Sequence, residues 1–248
     1  MIVTIARKEL STLFTSPVAW ILLTLIQLML AWIFLGRLDA FLEIQSQLLQ
    51  IANPPGVTEI IISPIFAMAA IILLMITPVL SMRLLAEERR NHTLTLLISA
   101  PISVTDIVIG KFLGLMIFLS VVITLIVVLC ISLLMGGALD FGLLLSNTIG
   151  LFLLTACFSA LGLYISSLTV QPVIAAIVAL GVLLGLWMID LVAASEANEW
   201  LQYFSLLKHF ERFNQGLIDT FSITYFILFM TTFLTLTIHR MDGERLHG

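Results

Sequence analysis

Gly110-Lys111 is the nearest approach this sequence makes to a phosphate-binding loop, and Phe112 follows where a hydroxyl residue would help hold magnesium. The earlier glycine of that motif is missing too, so no backbone cradle for a nucleotide is encoded here. His209 and Glu211 stand two apart, but two donors make a poor metal site without others, and the histidine reads as an interfacial side chain. No H-E-x-x-H or G-x-S-x-G element equips the chain for hydrolysis. Cys130 and Cys157 both fall inside apolar runs, where a cysteine is a small packing residue rather than half of a disulfide framework. The remaining chemistry is that of recognition. It concentrates in RLLAEERRNHTLTLLISAPISVTDIVIGKFLG, residues 83 to 114, which holds Arg83, Arg89, Arg90 and Lys111 of the eleven basic residues.

The elements that must position that stretch are apolar. The chain is 60% hydrophobic and 10% charged, a balance suited to the bilayer as solvent. A net charge of −4 gives no basic footprint for nucleic acid. A helix needs ~20 apolar residues to cross the hydrocarbon core. Six runs qualify, about 18–36, 60–82, 112–135, 141–167, 171–190 and 221–239, within a single domain over 1–248. Their interiors carry no Asp, Glu, Lys or Arg except Asp190 at an edge, so the usual equipment for coupling to an ion gradient is missing. The first run lacks a small-x-small cleavage site and is expected to stay as an anchor. Arg7, Lys8, Arg83, Arg89, Arg90, Lys111, Arg240 and Arg245 fall on one side of this topology; Arg37, Lys208 and Arg212 fall on the other. The bias places both termini and the charged connector in the cytoplasm.

Four pieces lie outside the spans. Residues 2–14 put Ile2, Ala6, Leu10 and Leu13 at helical spacing, the pattern of an amphipathic helix on the inner leaflet; a solvated lead-in is the alternative. In the connector, the second span runs on through Glu87, Glu88, Arg89 and Arg90. A short helix over Thr93–Ser99, with Leu94, Leu97 and Ile98 on one face, ends before Pro101. Such a helix suits docking into a partner's groove, against the alternative of a plain cytosolic hairpin. Ser103-x-x-Asp106 reads as the cap of the third span. On the outer side, 39–51 forms a modest amphipathic segment. Residues 200–219 carry Trp200, Phe204, Leu207, Phe210, Phe213 and Leu217 every three or four residues, an interfacial or partly re-entrant helix. Pro64, Pro78 and Pro172 are candidate kink sites. Gly110-x-x-x-Gly114 and Gly181-x-x-x-Gly185 allow close helix approach, as in an oligomer contact.

The connector also carries a family resemblance. Met82 to Leu94, with its Glu87-Glu88-Arg89 cluster, then Leu96-Leu97, Ala100-Pro101 and Gly110-Lys111, resembles the cytosolic loop of type-2 ABC transporter permeases. It departs from that pattern at His92, where glycine is usual, and at Thr95, where Glu is usual. Ser205 to Phe210 with Gly216 to Asp219 is similar to the gliding-motility-type branch. The resemblance covers nearly the whole chain. It implies an all-α half-transporter, non-catalytic in itself, in the bacterial inner membrane. Two six-span permeases, alike or different, would pair, and each would dock a cytosolic ATPase that holds the ATP and magnesium. By that resemblance Leu94, Leu97 and Ile98 fill the ATPase groove, and Glu87, Glu88, Arg89, Arg90, Thr93 and Pro101 surround them. The second and fifth spans line the path, and an outer helix with Phe204, His209, Phe210, Phe213, Gly216 and Asp219 helps close it. Cargo, direction and any accessory membrane or periplasmic subunit stay open. A gradient-driven carrier and a membrane scaffold or enzyme are the alternatives.

Overall fold

The structure is a computed structural model of the 248-residue chain and describes residues 1–48, 56–93, 102–135, 139–193 and 205–247. Among the described residues there are helices and no strands. Helix α1 spans Ile2–Thr15, α2 Pro17–Leu48 and α3 Val57–Met82. A π turn, Arg83–Glu87, and one last helical turn, Glu88–Arg90, extend α3. Then come α4 (Val104–Ile131), α5 (Phe141–Leu168), α6 (Pro172–Ala193), α7 (Leu206–Asn214) and α8 (Thr220–His247). All six expected apolar runs are helical. Among the described residues five helices are long and apolar enough to cross a bilayer, and Pro172–Met188 in α6 is a shorter apolar stretch. The protein is an all-α, multi-pass membrane protein.

Local rules explain most boundaries. The Ser103 hydroxyl accepts from the Asp106 backbone N–H at 3.0 Å and opens α4, as the Ser-x-x-Asp spacing leads one to expect. Asp140 caps α5 in the same manner, accepting from Gly142 and Leu143. One boundary differs from expectation. Residues 39–48 continue α2 instead of forming a separate outer segment, because no Gly or Pro interrupts the chain between Gly36 and Asn53. At 32 residues α2 is about 48 Å long and outreaches a hydrocarbon layer of ~30 Å.

The passes alternate in direction around α5, whose partners are α3, α4, α6, α7 and α8. With no water in the bilayer, every buried hydroxyl needs a bond inside the protein. Thr77, Thr155 and Ser159 in the core bond back to the carbonyls of Leu73, Leu151 and Thr155 at 2.6, 2.9 and 2.7 Å. Lys111 is the one fully buried Lys, Arg, Asp or Glu side chain among the described residues. Its place is the connector end of the bundle, where the N-terminus, the α3–α4 connector and the end of α8 meet.

Candidate functional site

Leu94, Leu97, Ile98 and Pro101, expected on the connector's docking face, lie outside the described residues, and so does Phe204. What the structure describes is the root from which the connector springs. A π turn widens the helix by one residue and loosens the backbone ladder, and such turns occur often at functional positions. Here Ser166 of α5 closes the gap. Its hydroxyl accepts from the N–H groups of Leu85 and Ala86 at 3.2 and 3.0 Å and donates to the Met82 carbonyl at 3.0 Å.

Beyond this bracket the charged cluster divides. Glu87 and Arg90 are exposed. Glu88 turns inward, where Lys111 of α4 meets its Oε1 at 2.8 Å and Glu9 of α1 at 2.7 Å. Arg89 reaches the other way and donates to Glu244 of α8 at 2.6 Å, with Arg240 3.5 Å from the same oxygen. The family resemblance puts Glu87, Glu88, Arg89 and Arg90 in the polar surround of the docking helix; in the structure Glu88 and Arg89 are paired within the protein. Nothing local signals this, since Lys111 and Glu9 are 102 positions apart.

His92 explains a departure noted in the sequence. Its φ is +57°, in the left-handed region that glycine enters most easily. Its N–H donates to the Arg89 carbonyl at 3.1 Å, and the Thr93 N–H reaches back to Glu88 at 3.0 Å. This is the Schellman closure of a helix, with histidine where glycine is favoured. Gly216 does the same for α7 at φ +82°, with Leu217 donating to Arg212 at 2.9 Å.

At the far end of the bundle α7 is pressed into the protein by Leu206, His209, Phe210 and Phe213, all buried. Gly150 of α5 makes room, since a methyl there would collide with the Phe213 side chain. The Ser146 hydroxyl donates to the Phe213 carbonyl at 2.9 Å, and Ser63 donates to Asn214 at 3.0 Å. His209 stacks on Tyr225 with ring centroids 4.4 Å apart and pairs with the Ser222 hydroxyl at 3.0 Å. Arg212 bridges to Asp219 at 2.7 Å. The expected amphipathic run is therefore a seated helix. Leu217, counted on its apolar stripe, is instead exposed, because the helix stops at Asn214 and Gly216 turns the chain away. Beside α7 lies a cavity of about 580 Å³ whose lining includes Glu59, Asp140 and Glu211.

The glycine pairs also separate. A methyl on Gly110 would stand 2.8 Å from Ile5, and one on Gly114 would stand 2.8 Å from Glu9. These two glycines seat α1 within the same chain rather than an oligomer partner. Gly181 and Gly185 have nothing within 4 Å among the described residues.

Set against known families, residues 3–239 match the model of the ABC-2 family transporter protein. The chain belongs to that family. No curated protein matches it significantly. As an ABC-2 transporter membrane protein, it carries the connector root and the seated α7 within the matched residues. Membrane subunits of this family are typically not the catalytic ones.

Proposed function

We propose that this chain is the permease subunit of an ABC transporter, a single membrane domain over 1–248 that hydrolyses nothing itself. It pairs with a second permease and is driven by a separate cytosolic ATPase that binds the ATP and magnesium. The family match over 3–239 supports the class. The observation that carries the finer reading is the root of the connector. Ser166, Lys111 and Glu244 grip the end of α3 from three different helices, so a push on the connector is delivered to the bundle. Leu94, Leu97 and Ile98 then enter the ATPase groove, with Thr93 and Pro101 bounding that short helix. With Glu88 and Arg89 turned inward, the polar surround falls to the exposed Glu87 and Arg90. The connector end faces the cytosol, both termini with it, in the bacterial inner membrane. At the far end α7 helps close the path with His209, Phe210 and Phe213, assisted by Gly216 and Asp219 and preceded in the chain by Phe204. The likeness of that segment to the gliding-motility branch is part of the same reading.

The test is purification from native membranes in mild detergent, followed by identification of the stably bound subunits. A P-loop ATPase should come down with the chain. In the double variant Leu94→Asp/Leu97→Asp the membrane subunit should still fold, but the ATPase should be lost. Two buried leucines contribute ~1.5–3 kcal/mol each, which is orders of magnitude in affinity. ATP hydrolysis or solute movement by the chain alone would refute the division of labour, and undiminished capture by the double variant would refute the contact.

A further inference from the structure

We propose that Lys111 is the positioning residue that makes the N-terminal helix part of the coupling machinery. By bonding Glu9 of α1 and Glu88 at the connector root together, it ties α1, the end of α3 and the start of α4 into one moving body. This rests on the proposed function above.

The Lys111 side chain is 1% exposed, and its ammonium holds Glu9 at 2.7 Å and Glu88 at 2.8 Å. Lys8 approaches Glu88 at 3.9 Å, which gives the cluster two cations and two carboxylates. A helix that merely floats on headgroups needs no buried charge in the protein core. Burying charges costs several kcal/mol per ion, and an apolar contact holds two helices as well or better. What an ion pair adds is a defined position. The Oε2 of Glu88 is buried and has no hydrogen-bond partner among the described residues.

The surroundings keep the tie short. Gly110 and Gly114 flank Lys111 on α4, and ideal Cβ atoms there would lie 3.1 Å from the carbonyl oxygens of Ile2 and Ala6. The two helices thus lie backbone to backbone beside the lysine. α1 is joined in turn to the first span. Only Ser16 separates α1 from α2, Arg83 reaches its hydroxyl at 3.4 Å, and the Trp20 indole donates to the Phe14 carbonyl at 2.8 Å. Glu88 stands six residues before Leu94 in the chain. A displacement of the connector accordingly passes through Glu88 and Lys111 to α4, and through Glu9 to α1 and α2. Without the tie it still reaches α5 through Ser166 and α8 through Glu244, but α1 is no longer carried with it.

Spin labels on the full chain, purified with its ATPase, test this directly. One pair joins Val3→Cys on α1 to Asn91→Cys at the connector, and a second joins Val3→Cys to Leu217→Cys at the far end; all three sites are exposed. Cys130 and Cys157 are buried and should stay unlabelled. On adding ATP and magnesium with vanadate, the Val3–Asn91 distance should hold while the Val3–Leu217 distance shifts. In the neutral variant Glu9→Gln/Glu88→Gln/Lys111→Met, which leaves no unpaired buried charge, Val3–Asn91 should become nucleotide-dependent, and Lys111→Arg alone should keep it fixed. A lysine that only stabilised the fold would not make that distance follow the nucleotide. The proposal is overturned if nucleotide changes Val3–Asn91 in the unaltered cluster, if neither distance responds, or if the neutral variant behaves as the parent. Should the neutral variant fail to fold, the parent measurements decide alone. Failure to recover any ATPase would instead sink the proposed function, a separate result.

Discussion

At His92 the backbone asks for glycine and receives a side chain. A left-handed φ of +57° costs an L-residue about 1 kcal/mol or somewhat more, and glycine avoids that cost. His92→Gly should therefore stabilise the purified protein by about 1 kcal/mol, a rise of ~2–4 °C in its melting temperature. Gly216→Ala should move the opposite way, since Gly216 closes α7 with the same turn at φ +82°. Thermal melting of the two variants side by side checks both signs. If His92→Gly melts no higher than the parent, the turn is not strained as argued. The chain's departure from the family pattern at 92 is thus a matter of conformation as well as of contact.

Among elements, the π turn depends most on a single neighbour. Its Leu85 and Ala86 N–H groups have their side-chain acceptor in Ser166, and all three residues are buried within the protein. Leaving a buried donor unsatisfied costs ~1–3 kcal/mol, so Ser166→Ala should lower the melting temperature by several degrees. Ser167→Ala next to it should do less, because the Ser167 hydroxyl only returns a bond to the Tyr164 carbonyl of its own helix. Equal losses in the two variants would show that the bracket has no special weight. Such elements also mark what a single sequence can and cannot reveal. The spans were legible because hydrophobicity is local and long, and the α4 cap because Ser103 and Asp106 are three residues apart. The seating of α7 was half legible: Phe210 and Phe213 read as apolar stripe, but the end of that stripe depended on the dihedral of Gly216. The joining of 39–48 to α2 was missed because its polarity changes there while its helix propensity does not. Ser166 and Glu244 were illegible as partners of the connector, since each meets it only after the chain has crossed the membrane or returned along it; Lys111 stands in the same stretch, but nothing in the sequence shows that it is buried. A buried lysine and a solvated one look alike in a list of basic residues.

For the whole molecule, the outstanding quantity is the uncovered face of α6. Val173, Ile174, Ile177, Val182 and Met188 are exposed there, and Gly181 and Gly185 leave a shallow trough with no atom of the described residues within 4 Å. Apolar exposure alone decides nothing in a membrane protein, because lipid covers it without cost. A glycine trough is different. Lipid tails fill it poorly, whereas a second helix packs its backbone into it and gains dispersion contact at short range. The pairing expected of a half-transporter should accordingly run along this face. Gly181→Cys should cross-link to a second permease under mild oxidation in native membranes, giving a band of twice the mass if the two are alike. Val128→Cys, equally apolar and exposed on α4, should not. Gly181→Leu should weaken the pair without unfolding the subunit, since no neighbour among the described residues lies close enough to collide. If Val128→Cys cross-links and Gly181→Cys does not, the protomers meet through α4. The path between them would then be lined by helices other than the second and fifth spans.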